Sequence, residues 1–247
     1  MTLLIAAGGV AGGFVNGLAG FGTGIAALPF WLYALQAREA APLVAACSVV
    51  GQLQSFPLIR QFVDWRRTRP FVIGGVLGIP AGTVLLTLVP TQPIRLGVGV
   101  LIIAYCAVLI VRRSRKPLLV GGELADGAIG WVGGVLGGLI GLSGPVPTIW
   151  ASLRGWMKGE RRAVIQVFNL TVLALSFGAQ LLSGAASTDW WRLAVIAVPA
   201  TMIGSVFGQA VYRRTSHSQF DMIILLVLLL TGMSVVAQMI GAMLFGG

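Results

Sequence analysis

Two apolar runs in this chain are each interrupted by clustered glycine: GGFVNGLAGFGTGIAALP over residues 12–29 and GWVGGVLGGLIGLSGPVP over residues 130–147. Glycine clusters ending in proline break helical hydrogen bonding and leave backbone groups without partners. Backbone of that kind must face protein or water rather than lipid. The two clusters also repeat one another. At an offset of 121 residues Gly13, Gly17 and Gly20 fall on Gly134, Gly138 and Gly141, and GFGTG (20–24) falls on GLSGP (141–145). A chain built this way is expected to place two broken elements, related by an internal repeat, at one site.

The solvent for those breaks follows from composition. The 247 residues are 57% hydrophobic and 10% charged, with a mean hydropathy of +0.92, which marks a polytopic membrane protein rather than a soluble domain. The net charge of +10 would suggest nucleic acid in a soluble protein. Here the basic residues cluster in short links between apolar segments, as cytoplasmic loops do, so no nucleic-acid partner is expected. Cys47 and Cys106 each lie in an apolar run, so neither a disulfide framework nor a metal site is expected, and no cofactor. No basic region precedes the first apolar run, so no cleaved signal peptide is expected.

Polar breaks separate eight apolar segments: residues 2–34, 40–59, 71–89, 93–111, 127–153, 163–186, 190–212 and 219–245. The longest link, 112–126, divides them into a first membrane repeat over 1–111 and a second over 127–247, with a cytoplasmic linker between. The repeat reaches beyond the glycines. Ser48 falls on Asn169 at the same offset, Asp64-Trp65 resembles Asp189-Trp190, and Gly78/Gly82 matches Gly204/Gly208, both spacings that let helices approach closely in lipid.

Charge then bears on topology. If every segment crossed once, the 17 Lys and Arg residues would divide almost evenly between the two sides, which specifies no orientation. If residues 127–153 instead dip in and return, all but Arg38, Arg95 and Arg192 fall on one side. Corresponding loops also exchange their basic loads, as inverted-topology repeats require. Residues 2–34 are expected to be re-entrant too, since as one helix they would be about 50 Å long against a core of about 30 Å. The expected fold is therefore an all-α membrane protein of two inverted repeats, each a broken Gly-rich re-entrant element plus three transmembrane helices, with both termini outside.

A helix that starts at membrane depth presents free N–H groups and the positive end of its dipole. One such start is expected near Ile25 and another at Pro145, where proline suits a first helical position. Two starts aimed at one place make an anion site. Its expected members are Gly20, Gly22, Thr23 and Gly24 at the first tip and Gly141, Ser143 and Gly144 at the second, with Ser48, Gln52, Gln166 and Asn169 on the flanking segments and Asn16 beside them. No charged residue falls in the middle of a segment, which favours a potential-driven anion pathway over a built-in proton relay. Two plainer explanations compete: glycine every fourth residue packs helices, and the flanking polar groups bond between helices.

An enzyme is the contrasting possibility, because Gly141-Leu-Ser143-Gly144 fits the GxSG motif of rhomboid intramembrane proteases. A nucleophilic serine needs a base, and the one histidine, His217, sits in a polar link. No enzyme is expected.

The Gly-rich opening ending at Pro29, the second segment with Ser48, the basic link before Asp64-Trp65 and the GxxxG third segment, all repeated, resemble the TauE/SafE family of sulfite and organosulfur anion exporters over essentially the whole chain. That family has a GxGGG-like cluster in each half, where this chain has GFGTG and GLSGP. The resemblance implies a multi-pass transporter of the bacterial inner membrane that exports sulfite, thiosulfate or a sulfonate. Its partners would be a small anionic substrate and membrane lipid, and a homo-oligomer is compatible with it. A carboxylate or other organic anion is the alternative cargo.

Overall fold

The computed structural model describes residues 1–31, 33–35, 37–88, 96–97, 99–100, 102–104, 106–107, 121–140, 143–182 and 190–245. Its regular elements are all helical among these residues: α1 (Thr2–Ala19), α2 (Thr23–Trp31), α3 (Ala37–Ile59) with a short 3-10 turn (Arg60–Phe62), α4 (Trp65–Leu88), α5 (Glu123–Ile140), α6 (Pro145–Leu153), α7 (Lys158–Leu182), α8 (Trp190–Arg214) and α9 (His217–Phe245). Six of them, α1, α3, α4, α7, α8 and α9, contain a stretch long and apolar enough to cross a membrane. Most of the fourth apolar segment and the link over 112–120 lie outside the described residues.

The outer faces suit lipid. On α8, Ile203 and Phe207 are exposed one turn apart, and on α9 Met222, Leu226, Leu230 and Met233 form an exposed row, the helical spacing of a single face. In water such apolar area would drive association; in a bilayer it is solvated.

Each glycine cluster folds its segment back on itself. Helix α2 returns along α1: Trp31 Nε1 donates to the Ile5 carbonyl at 3.0 Å, while Gly12 lies against Thr23 and Ala27. Helix α6 returns along α5 in the same manner, with Trp150 Nε1 donating to Asp126 Oδ1 at 2.7 Å and Gly133 against Ser143 and Pro147. Both hairpins are pinned by a tryptophan near the end of the returning helix to a residue near the start of the outgoing one. Ile5 and Asp126 are themselves 121 positions apart.

Two seams join the hairpins to the remaining helices, and both run between the first and second parts of the chain. Helix α1 packs on α8 and α5 packs on α4. In the first seam a side chain at Gly13 or Gly17 would collide with the Thr201 or Ser205 carbonyl, and one at Gly204 or Gly208 with the Val10 or Phe14 carbonyl. In the second, Gly130 and Gly134 meet the Phe71 and Gly75 carbonyls, while Gly78 and Gly82 meet those of Trp131 and Val135. Backbones this close gain dispersion and weak Cα–H···O contacts that larger residues would forbid. Helices α3 and α7 cross each other between the seams, bringing their polar faces to the two hairpin tips.

Candidate functional site

The first tip is made by glycine backbone. Helix α1 closes on Gly20, whose N–H bonds the Asn16 carbonyl at 2.7 Å and whose φ of +83° is left-handed; Gly22 follows with φ of +92°. Only glycine adopts these values without strain. Helix α2 therefore starts at Thr23, two residues earlier than Ile25, and Pro29 lies inside it rather than at the break. At the second tip Gly144 is the N-cap residue of α6 and Pro145 occupies the first helical turn, as anticipated.

The tips meet. A methyl group added to Gly144 would lie 3.2 Å from Phe21 of the first tip and 3.3 Å from Asn169 Nδ2 of α7. One added to Gly20 would lie 3.3 Å from the Arg162 stem and 3.6 Å from Gln166 Oε1. Asn16 Nδ2 donates to Thr23 Oγ1 at 2.7 Å and to the Ser48 carbonyl at 3.3 Å, tying the first tip to α3. Ser143 Oγ donates to Asn169 Oδ1 at 2.9 Å, tying the second tip to α7. Gln166 Nε2 joins the two crossing helices by donating to the Gln52 carbonyl and to Ser55 Oγ, each at 2.9 Å.

Gly20, Thr23, Ser48, Gln52, Ser143, Gly144, Gln166 and Asn169 are thus linked into one network of contacts through Asn16 and the α3–α7 crossing. Gly22 and Gly24 turn instead to apolar neighbours, Val15 and Val227 for the one and Val44 for the other. Gly141 lies outside the described residues. The gathered side chains are buried, with Gln52 and Gln166 at 0% exposure and Asn169 at 1%. Even so, several of their polar atoms have no protein partner among the described residues: Asn16 Oδ1, both Gln52 amide atoms, Gln166 Oε1 and Asn169 Nδ2. Leaving such groups unmatched costs about 1–3 kcal/mol each, and interiors ordinarily avoid it.

One further residue belongs here that the sequence reading assigned to a loop. Arg161 and Arg162 were counted among the solvated basic residues ahead of the sixth segment, but α7 begins at Lys158 and draws both into its first turns. Arg161 pairs with Asp221. Arg162 is 0% exposed, makes no ion pair among the described residues, and donates from Nη2 to the Gly17 carbonyl at 2.6 Å. Its guanidinium lies over the Tyr212 ring, 3.9 Å from the centroid. The Tyr212 hydroxyl is close enough to feel the charge, yet neither it nor Arg162 Nε or Nη1 completes a hydrogen bond of normal geometry. The legible signal was spacing: Arg162, Gln166 and Asn169 recur at i, i+4 and i+7, one face of a helix.

Among the described residues no base stands beside Ser143. Its hydroxyl proton is directed at an amide oxygen, and His217 stands at the start of α9 with Nδ1 accepting from the Lys158 N–H at 3.3 Å. A groove of about 750 Å³ opens elsewhere, on the outer face of the α4–α5 seam between Trp65, Arg69, Leu77 and Trp131.

The sequence matches the family described as Sulfite exporter TauE/SafE over residues 4–235. No curated protein and no solved structure matches it.

Proposed function

We propose that this chain, which belongs to the Sulfite exporter TauE/SafE family, carries a small sulfur oxyanion or sulfonate out of a bacterial cell across the inner membrane, through the polar cluster between its two hairpin tips. The observation that supports the proposal is the contact of Gly144 with Phe21 of the first tip, beside buried amides that leave polar atoms unmatched among the described residues. Helix starts favour an anion through their dipoles and free N–H groups. Thr23, whose oxygen accepts from Asn16, adds a hydroxyl donor, Ser143 holds the Asn169 amide with its Nδ2 free to donate, and Gly20 and Gly144 allow close approach of backbone to the solute.

The same geometry supports two inverted repeats, 1–111 and 127–247 about a cytoplasmic linker at 112–126. The 121-residue offset relates α1, α2 and α3 to α5, α6 and α7, and a slightly longer one, 126 residues at Gly78 and Gly204, relates α4 to α8. Under that relation the α1–α8 seam corresponds to the α5–α4 seam, and the Trp31 pin to the Trp150 pin. Hairpins whose tips turn back inside the molecule are what re-entrant elements would look like at membrane depth. The closed cluster supports alternating access rather than an open pore. Energy for export is at hand: each negative charge leaving a cell gains about 2.3 kcal/mol per 100 mV.

The test is sulfite flux into and out of proteoliposomes under an imposed potential, with thiosulfate, taurine, sulfate and acetate as competitors. Saturable, potential-dependent sulfite movement is expected, and it should fall about fivefold or more when Thr23→Val and Ser143→Val are combined, since each loses a polar contact worth about 0.5–1.5 kcal/mol. Acetate as the better-carried ion would shift the cargo to carboxylates. A double variant with undiminished flux would remove the tips from the pathway.

A further inference from the structure

We infer that Arg162, acting with the Gln166 and Asn16 side-chain carbonyl oxygens, makes this site selective for a monoanion that still carries a hydrogen-bond donor, such as a hydrogen oxyanion, over a bare dianion. The inference rests on the transport proposal above and specifies its substrate.

Three observations carry it. The buried guanidinium of Arg162 has no anionic partner among the described residues, and two of its nitrogens, Nε and Nη1, complete no hydrogen bond of normal geometry there, the Tyr212 hydroxyl standing beside them. The Gly17 carbonyl, at the negative end of α1, and the Tyr212 ring soften the charge without neutralising it. An uncompensated buried cation is costly, so one negative charge fits the site. The acceptors are fixed in the opposite sense. Gln166 Nε2 is committed to the Gln52 carbonyl, which can only accept, so the amide cannot turn over and Oε1 remains an acceptor aimed past Gly20. Asn16 Nδ2 is committed likewise to the Ser48 carbonyl, leaving Oδ1 as an acceptor. A bare dianion would meet these oxygens lone pair to lone pair. An anion with one O–H or N–H satisfies an acceptor and the guanidinium together. Arg162 could be only a cap for the end of α1, but that role uses Nη2 alone.

The experiment compares sulfite, whose proton titrates near neutrality, with sulfate, which is a bare dianion over the same range, in proteoliposomes from mildly acidic to mildly alkaline pH, corrected for protein-free vesicles. Sulfite flux is expected to follow the hydrogensulfite fraction, and sulfate should neither be carried nor compete. Arg162→Gln should raise the half-saturation concentration about 30-fold or more, the usual consequence of removing one partner of a buried charge pair, while Arg162→Lys recovers part of the loss. Gln166→Leu should admit sulfate as a competitor. Equilibrium binding by the purified variants, followed as sulfite-induced thermal stabilisation, separates loss of binding from loss of fold. Sulfite flux that tracks the dianion, sulfate competing as well as sulfite in the unaltered protein, or an unchanged half-saturation in Arg162→Gln would each overturn this inference and leave transport standing. No anion flux at all from the unaltered protein would overturn the transport proposal itself.

Discussion

Gln52 holds both amide atoms out of water without a protein partner, a burden on folding of about 1–3 kcal/mol for each group. Its backbone carbonyl, by contrast, is bonded to Gln166. Replacing only the side chain therefore separates stability from function. Gln52→Met, close in volume, is expected to leave the thermal unfolding temperature unchanged or raised, while the half-saturation concentration for sulfite rises; detergent-solubilised unfolding and vesicle flux measure the two. Asn16, Gln52, Gln166 and Asn169 were legible because an amide in an apolar run stands out. Arg162 was not, because it follows Lys158, Glu160 and Arg161, and a run of charges at a segment boundary resembles a solvated loop. The spacing to Gln166 and Asn169 sets it apart from Arg161 in sequence, and the placement of α7 against the Gly17 carbonyl does so in space, where Arg161 instead pairs with Asp221.

Elements meet here through backbone more than through side chains. Gly13→Ala would drive a methyl group into the Thr201 carbonyl across the α1–α8 seam, and Gly134→Ala would do the same at Gly75 across the α4–α5 seam. Each is expected to lower stability by about 1–3 kcal/mol, the usual cost of overpacking. Gly178, inside α7 with open space where a methyl group would go, is the control: Gly178→Ala should stabilise by about 0.4–1 kcal/mol through helix propensity. Thermal unfolding of the three variants checks the contrast. The spacing of Gly78/Gly82 and Gly204/Gly208 announced close helix contacts, but a periodic small-residue face does not name its partner. The partner in each case is the first helix of the other part of the chain, a non-local choice set by the whole assembly. Pro29 misled for a related reason: proline near the end of a nine-residue helix is tolerated, and the left-handed φ of Gly20 and Gly22 makes the break.

At the scale of the molecule, both seams tie one part of the chain to the other, so neither part can slide bodily past its counterpart without tearing backbone contacts; tilting about the seams is the motion the packing allows. On a scaffold so nearly balanced, the buried guanidinium of α7 is conspicuous, because position 41, its counterpart at the 121-residue offset, is alanine. A pathway whose two related halves differ by one fixed charge behaves as an electrical rectifier. Under equal and opposite voltages the anion current should be unequal, larger in the direction that loads from the arginine end, and Arg162→Gln should make the current–voltage curve straighter. Charge movement recorded on a supported membrane would read that asymmetry directly, as a diode inscribed by a single residue.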